Sequence, residues 1–142
     1  MDTSSKNIKI AKCMGFDYGK RRIGVAIGQR LTNQAEPLIT ISAKKGVPNW
    51  IAIDKIMHDW QPSLLVVGLP LNMDGTEQNM TKHARTFREN LLQRYQIPVE
   101  MVDERLTSYV AKKNLSEQDT LNTSVDAESA RIILQDWLDN SG

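Results

Sequence analysis

The chain has 142 residues, 40% of them hydrophobic and 25% charged, with a formal net charge of +1. That length predicts one domain, 1–142, able to bury a core without staples, with residues 1–7 as a flexible polar tail. A single cysteine, Cys13, excludes an intrachain disulfide framework and a cysteine-based metal cluster, no apolar run approaches the roughly 20 residues of a membrane span, and the start MDTSSKNIK lacks a signal-peptide core.

Residues 8–17 and 22–28 read as strands, rich in Ile and Val and punctuated by glycine. EPLITIS, 36–42, reads as a third strand. Residues 48–60 carry apolar side chains at helical spacing and stop before Pro62. The continuous apolar run 63–69 suits a central strand covered on both faces. Residues 74–95 form an amphipathic helix with the stripe Met80, Ala84, Phe87, Leu91 and Tyr95, and Asp74 with Glu77 resembles a capping box. A fifth strand, 97–103, a short helix, 107–115, a polar loop, 116–123, and a closing helix, 124–140, complete the chain. Three strands with short links predict an antiparallel meander, and two strands reached through helices predict parallel additions. The expected fold is α/β, a five-stranded mixed sheet with helices on both faces.

A four-residue turn over 18–21 would set Asp17 opposite Arg22, Gly15 opposite Gly24, Cys13 opposite Ala26 and Ala11 opposite Gly28. Those residues share one sheet face made almost wholly of small side chains, while Phe16 with Ile23 and Met14 with Val25 make the other face bulky. Glycine inside a strand is costly unless something approaches closely, so a helix or ligand is expected on the small face. Asp17 stands at the end of that face, and by itself it also reads as a turn aspartate. In the closing helix Asp126, Ala130, Ile133 and Trp137 form a stripe, and Ala130 is small enough for close approach. Asp126 reads equally as a site acid or as a partner of Thr123 in a capping box. Asp103 and Glu104 should point to opposite faces, and one of them could face Asp17.

In open α/β sheets ligands bind beyond the carboxyl ends of strands where connections reverse, here between the first and fourth strands. Asp17, the loop 68–75 and Asp103-Glu104 converge on that edge. Carboxylates gathered without Cys or suitably placed His form an oxygen site, which suits Mg²⁺ or Mn²⁺ rather than zinc. Paired ions of that kind can drive phosphodiester cleavage.

The segments GFDYGKRRIGVAIG, VVGLPLNMDGTEQN, VDERLTS and VDAESARIILQDWL, in that order, resemble the YqgF-type family of pre-16S rRNA nucleases, also described as Holliday-junction-resolvase-like. The resemblance spans roughly residues 10–139. It implies a ribonuclease-H-like fold and a metal-dependent endonuclease that matures the 5′ end of 16S rRNA, with junction resolution as the alternative. Its acidic positions fall on Asp17, Glu104 and Asp126, as catalytic residues and metal ligands. Related nucleases of the wider fold place an acid just after the fourth strand, where this chain has Gly68, so the role shifts to Glu104 or, as a substitute, Asp103. The basic segment frequent before the last motif is replaced here by SEQDTLNTSVD.

Expected nucleic-acid contacts are Lys20, Arg21 and Arg22, the backbone of Asn72 to Gly75 at a helix start, and Lys82, Arg85 and Arg88. Arg22 would orient a phosphate or pair with Asp17. The partners implied are structured RNA or branched DNA, and the protein a cytoplasmic monomer or homodimer. His58, His83, Cys13 and the tryptophans read as solvated or packing residues, and Met73 has no assigned role. A catalytically silent RNA-binding module is the competing class. A phosphotransferase of the sugar-kinase type would need two such domains, which 142 residues do not supply.

Overall fold

The structure, a computed structural model, describes residues 12–104 and 122–140. The expected tail 1–7, the first residues of strand one with the Ala11 pairing, the short helix 107–115 and most of the loop after it lie outside the described residues. Six strands, β1 (Lys12–Asp17), β2 (Arg22–Gln29), β3 (Gln34–Lys44), β4 (Val47–Pro48), β5 (Leu64–Leu69) and β6 (Val99–Asp103), form one sheet in the order β4-β3-β2-β1-β5-β6. Three helices are described: α1 (Trp50–Trp60), α2 (Asn79–Tyr95) and α3 (Asn122–Asn140). β1, β2 and β3 are an antiparallel meander, and β5 and β6 add in parallel beside β1. Connections therefore leave β1 in opposite directions, and the predicted switch point lies between β1 and β5. Among the described residues no helix is long and apolar enough to cross a membrane.

The sheet has six strands rather than five. Lys45 and Gly46 both take positive φ, 51° and 85°, and make a tight turn that folds Val47–Pro48 back onto Ala43 and Lys44. The Lys-Gly pair is not one of the strong hairpin signals, so the short strand was invisible in the sequence. The opening hairpin is shifted by two residues from the expected register: Asp17 pairs with Gly24, Gly15 with Ala26 and Cys13 with Gly28. Arg22 and Ile23 extend β2 beyond β1 and pair with Ser42 and Ile41 of β3. A shift of two preserves side-chain parity, so the small and bulky faces remain as predicted.

Both faces are covered. On the bulky face Met14, Phe16, Ile23, Val25 and Ile41 meet Ile53, Ile56 and Met57 of α1 and Phe87 and Leu91 of α2. Phe87 stands edge-on to Phe16, with ring centroids 5.5 Å apart, and also meets Tyr18 and Trp50. On the small face α3 lays Ala130, Ile133, Leu134, Trp137 and Leu138 over Cys13, Ala26, Ala35 and Val66. The glycines permit this approach: a Cβ on Gly15 would stand 2.8 Å from the Leu134 Cβ.

α2 begins at Asn79, not 74. Its start is fixed by Gln78, whose backbone N–H donates to the Thr81 hydroxyl (3.0 Å), while that hydroxyl donates to the carbonyl of Pro70. Asp74 instead accepts from the Thr76 N–H and hydroxyl inside a small loop hairpin. α1 and α2 end on Gln61 and Gln96, each left-handed at φ 48° and 56° and each donating its N–H to the fourth residue back. Glycine is the usual residue at that position, so both stops lack the glycine signal, and the proline that follows each, Pro62 and Pro98, marks the end instead.

Candidate active site

The carboxyl ends of β1, β5 and β6 meet on the face covered by α3. Asp17, the last residue of β1, shares its face with Gly15 and is half-buried. The β1–β5 pairs end at Phe16 with Val67, and the next step of that parallel register sets Asp17 beside Gly68. On its other flank Asp17 pairs with Gly24. Two glycines thus border the carboxylate, and each is the seat of another acid.

Glu104 sits over Gly68. It follows β6 directly, its N–H donates to the Leu69 carbonyl (3.2 Å), and it is 6% exposed. A Cβ built on Gly68 would stand 3.0 Å from the Glu104 Cδ and 3.1 Å from its Oε2. The Glu104 carboxyl therefore fills the space that a side chain at position 68 would enter. Asp103 is exposed and, by strand alternation from Met101 and Val102, lies on the opposite face.

Asp126 sits over Gly24. A Cβ there would stand 1.8 Å from the Asp126 carbonyl oxygen, so only glycine lets α3 seat at this depth. α3 starts at Asn122, which places Asp126 inside the helix rather than in a capping box with Thr123. Its Oδ2 accepts from Arg22 Nε at 2.8 Å, with the Asp126 side chain 16% exposed. Arg22, expected to orient a phosphate or pair with Asp17, has Asp126 as its partner.

The donor set is carboxylate oxygen alone, which fits a hard divalent cation. As the side chains stand, no three His, Cys, Asp or Glu residues among the described residues are grouped closely enough to hold a metal ion. Asp126 is bonded to Arg22, and Asp17 and Glu104 are the acids flanking Gly68. One further group was missed in the sequence: the Ser129 hydroxyl is fully buried and has no hydrogen-bond partner among the described residues. Ser129 lies one helical turn before Ile133, whose Cδ1 would be 2.6 Å from a Cβ on Gly68, so it belongs to the same end of α3. A serine in an amphipathic helix carries no pattern that would have flagged it. Cys13 packs beneath α3, and burial pushes its thiol up to about 11, which keeps it protonated and out of the chemistry.

The expected phosphate contacts divide into three groups. Lys20 and Arg21 are exposed at the turn after β1. Asn72 and Gly75 do not start a helix. They form a hairpin beyond β5 in which Asn72 N–H donates to Thr76 O and Gly75 N–H to Asn72 O, so those amides are already used. Lys82, Arg85 and Arg88 lie on α2, across the sheet from α3. Arg85 is paired with Glu77 (2.7 Å), and Arg88 with Glu89 (2.5 Å) and the Val99 carbonyl. His58 and His83 are exposed, and Met73 is 71% exposed in the hairpin tip.

Comparison with known proteins agrees with this architecture. A protein of Aeromonas hydrophila with the provisional name pre-16S rRNA nuclease is 53% identical over 130 residues, covering 89% of this chain and 93% of its own. One of Proteus mirabilis with the same name is 48% identical over 130 residues, covering 89% and 94%. Among solved structures, RuvC of Thermus thermophilus in complex with a Holliday junction substrate superposes with a TM-score of 0.53 at 14% identity, covering 89% of this chain and 92% of its own. The Fowlpox virus resolvase with Holliday junction DNA gives a TM-score of 0.55 at 10% identity, covering 92% and 98%. The fold is the ribonuclease-H-like fold of these resolvases. Residues 11–140 match the family described as RuvX, Holliday junction resolvase, and the chain belongs to that family.

Proposed function

We propose that this chain is a divalent-metal-dependent endonuclease that processes precursor 16S rRNA in the cytoplasm, and that Asp17, Glu104 and Asp126 are its acids. The nuclease class follows the curated relatives, which share about half their residues with it over nearly their whole length. The observation that carries the site assignment is the Glu104 carboxyl lying over Gly68, beside Asp17. It puts an acid where the bare strand end has none.

Asp17 and Glu104 would hold the cation, with Asp126 as third ligand. The cation supplies charge neutralisation on the phosphate and a water made nucleophilic at neutral pH. Arg22 has two roles that exclude each other at one moment. Bonded to Asp126, it neutralises that carboxylate. Bonded to an incoming phosphate, it orients the phosphodiester and releases Asp126 toward the other acids. The Arg22 side chain is 40% exposed, so it is within reach of a substrate. α3 and the bulk of Ile133 close the inner side of the rim against water.

Cleavage of a precursor 16S rRNA fragment and of a four-way DNA junction, measured in parallel with Mg²⁺ or Mn²⁺, tests the reading. Asp17→Asn and Glu104→Gln are each expected to lower RNA cleavage by about 100-fold or more, since even outer-shell partners of a metal site are worth 10–100-fold. Asp103→Asn should retain most of the activity. Binding of Mn²⁺ gives a second readout, a rise in melting temperature that Asp17→Asn abolishes. Full cleavage by Asp17→Asn would overturn the proposal, and cleavage of the junction alone would replace RNA by branched DNA as substrate.

A further inference from the structure

We propose that the β1–β2 and β3–β4 turns form one composite platform, Lys20, Arg21, Lys44 and Lys45, that binds the phosphate backbone of the nucleic acid beside the carboxylate rim. In sequence the two basic pairs are more than 20 residues apart; Lys20 and Arg21 are expected contacts, whereas Lys44 and Lys45 read as an ordinary solvated charge run. In the structure the turns are stitched together. Gly46 N–H donates to the Lys20 carbonyl (3.1 Å), Ala43 N–H donates to the Arg21 carbonyl (2.9 Å), and the Tyr18 hydroxyl donates to the Gly46 carbonyl (2.5 Å). Tyr18 is itself anchored, 8% exposed against Phe87.

The four side chains are exposed, and no salt bridge among the described residues engages any of them. Six other cations are paired with acids: Arg22 with Asp126, Lys55 with Asp59, Arg85 with Glu77, Arg88 with Glu89, Arg94 with Asp54 and Arg131 with Glu128. Holding four unpaired like charges on two rigid turns is unfavourable, and a polyanion laid across them relieves it. The chain's net charge is only +1, so this local field, not a global one, must attract a nucleic acid.

The placement fits a strand leading to the site. Ser42 pairs with Arg22, so the two share a face, and Lys44 is two residues further along the same face. Arg22 points to Asp126, so Lys44 stands on the α3 face as well. β3 lies two strands from β1, a lateral separation of about 10 Å. That is roughly three nucleotides along a helical strand. The platform and the acids thus lie along one rim, basic at β3 and acidic at β1 to β6.

This inference rests on the nuclease reading only for its ligand class, and it is tested without catalysis. The probe is a fluorescent single-stranded RNA of about 20 nucleotides, titrated in EDTA by anisotropy at several salt concentrations. The variants are Lys44→Gln/Lys45→Asn, with asparagine keeping the left-handed position, and Lys20→Gln/Arg21→Gln. Lys55→Gln, on the opposite face, is the control, and melting temperatures confirm folding. Each double variant is expected to weaken binding several-fold and to reduce the slope of log K against log salt by about 1.4, two single-strand contacts. An unchanged slope for Lys44→Gln/Lys45→Asn, or an equal loss in Lys55→Gln, overturns the platform. Failure of the unmodified protein to bind RNA in a salt-dependent manner overturns the nucleic-acid reading itself.

Discussion

A methyl group on Gly24 would meet backbone, the Asp126 carbonyl at 1.8 Å, whereas one on Gly68 would meet mainly the tip of Ile133 at 2.6 Å. The two glycines border Asp17 and look alike in sequence, yet they predict opposite consequences. Backbone cannot yield without moving α3, so Gly24→Ala is expected to cost about 3 kcal/mol or more, read as a fall in the urea midpoint at constant slope. Gly68→Ala meets a flexible side-chain end and should cost about 1 kcal/mol, while pushing the Glu104 carboxyl, 3.0 Å away, and lowering cleavage more than stability. An equal stability loss in both would show that α3 is not seated as described. Sequence parity identified the small face and its need for a close neighbour. It could not say which atom each glycine meets, because that depends on the rise of a helix more than 50 residues away.

The elements that carry function were legible to different degrees, and the reason is local in each case. β5 was readable because its apolar run is continuous and bounded by prolines. The start of α2 was misplaced because Asp74, Gly75 and Glu77 mimic a helix start while forming a hairpin closed by Leu71 and Glu77. That error cost the expected phosphate contact at Asn72 and Gly75. α1 and α2 are joined by a latch that no local pattern reveals. Arg94 donates to both Asp54 oxygens at 2.9 and 2.8 Å, and the Tyr95 hydroxyl donates at 2.5 Å. Arg94 first, and then Tyr95, hold the Asp54 carboxyl down from 3.8 to about 2. A depressed folded-state value contributes stability above the unfolded value and loses it as pH falls through the folded one. Asp54→Asn is therefore expected to destabilise at pH 7, with the difference from the parent shrinking between pH 4 and pH 2. The groups are nearly half exposed, which keeps the effect small. Urea midpoints of both proteins across that range check it, and a difference independent of pH would assign the latch to packing of Arg94 on Trp50 instead.

For the molecule as a whole, the asymmetry of the two faces decides what holds the site. Among the described residues the bulky face has two helices and the small face has α3 alone, packed on β1, β2, β3, β5 and β6. α3 is pinned at both sides of the sheet. Gln135 accepts from Ala35 N–H (2.9 Å) and donates to Asn33 O (2.9 Å) on the β3 side, and Trp137 Nε1 donates to Glu100 (2.9 Å) on β6. Across this span it delivers Asp126 to the rim and covers Cys13, Ala26, Ala35 and Val66. The site acid and the cover of half the core are thus one element. A chain ending at Glu104 would keep all six strands yet expose that whole face, and small side chains offer it no alternative cover. Such a chain is expected to lose cooperative urea unfolding and to bind a hydrophobic dye. Cooperative unfolding of the shortened chain, with the dye excluded, would show that the sheet and its other two helices stand alone. α3 would then be an appended carrier of Asp126 rather than the second layer of the fold.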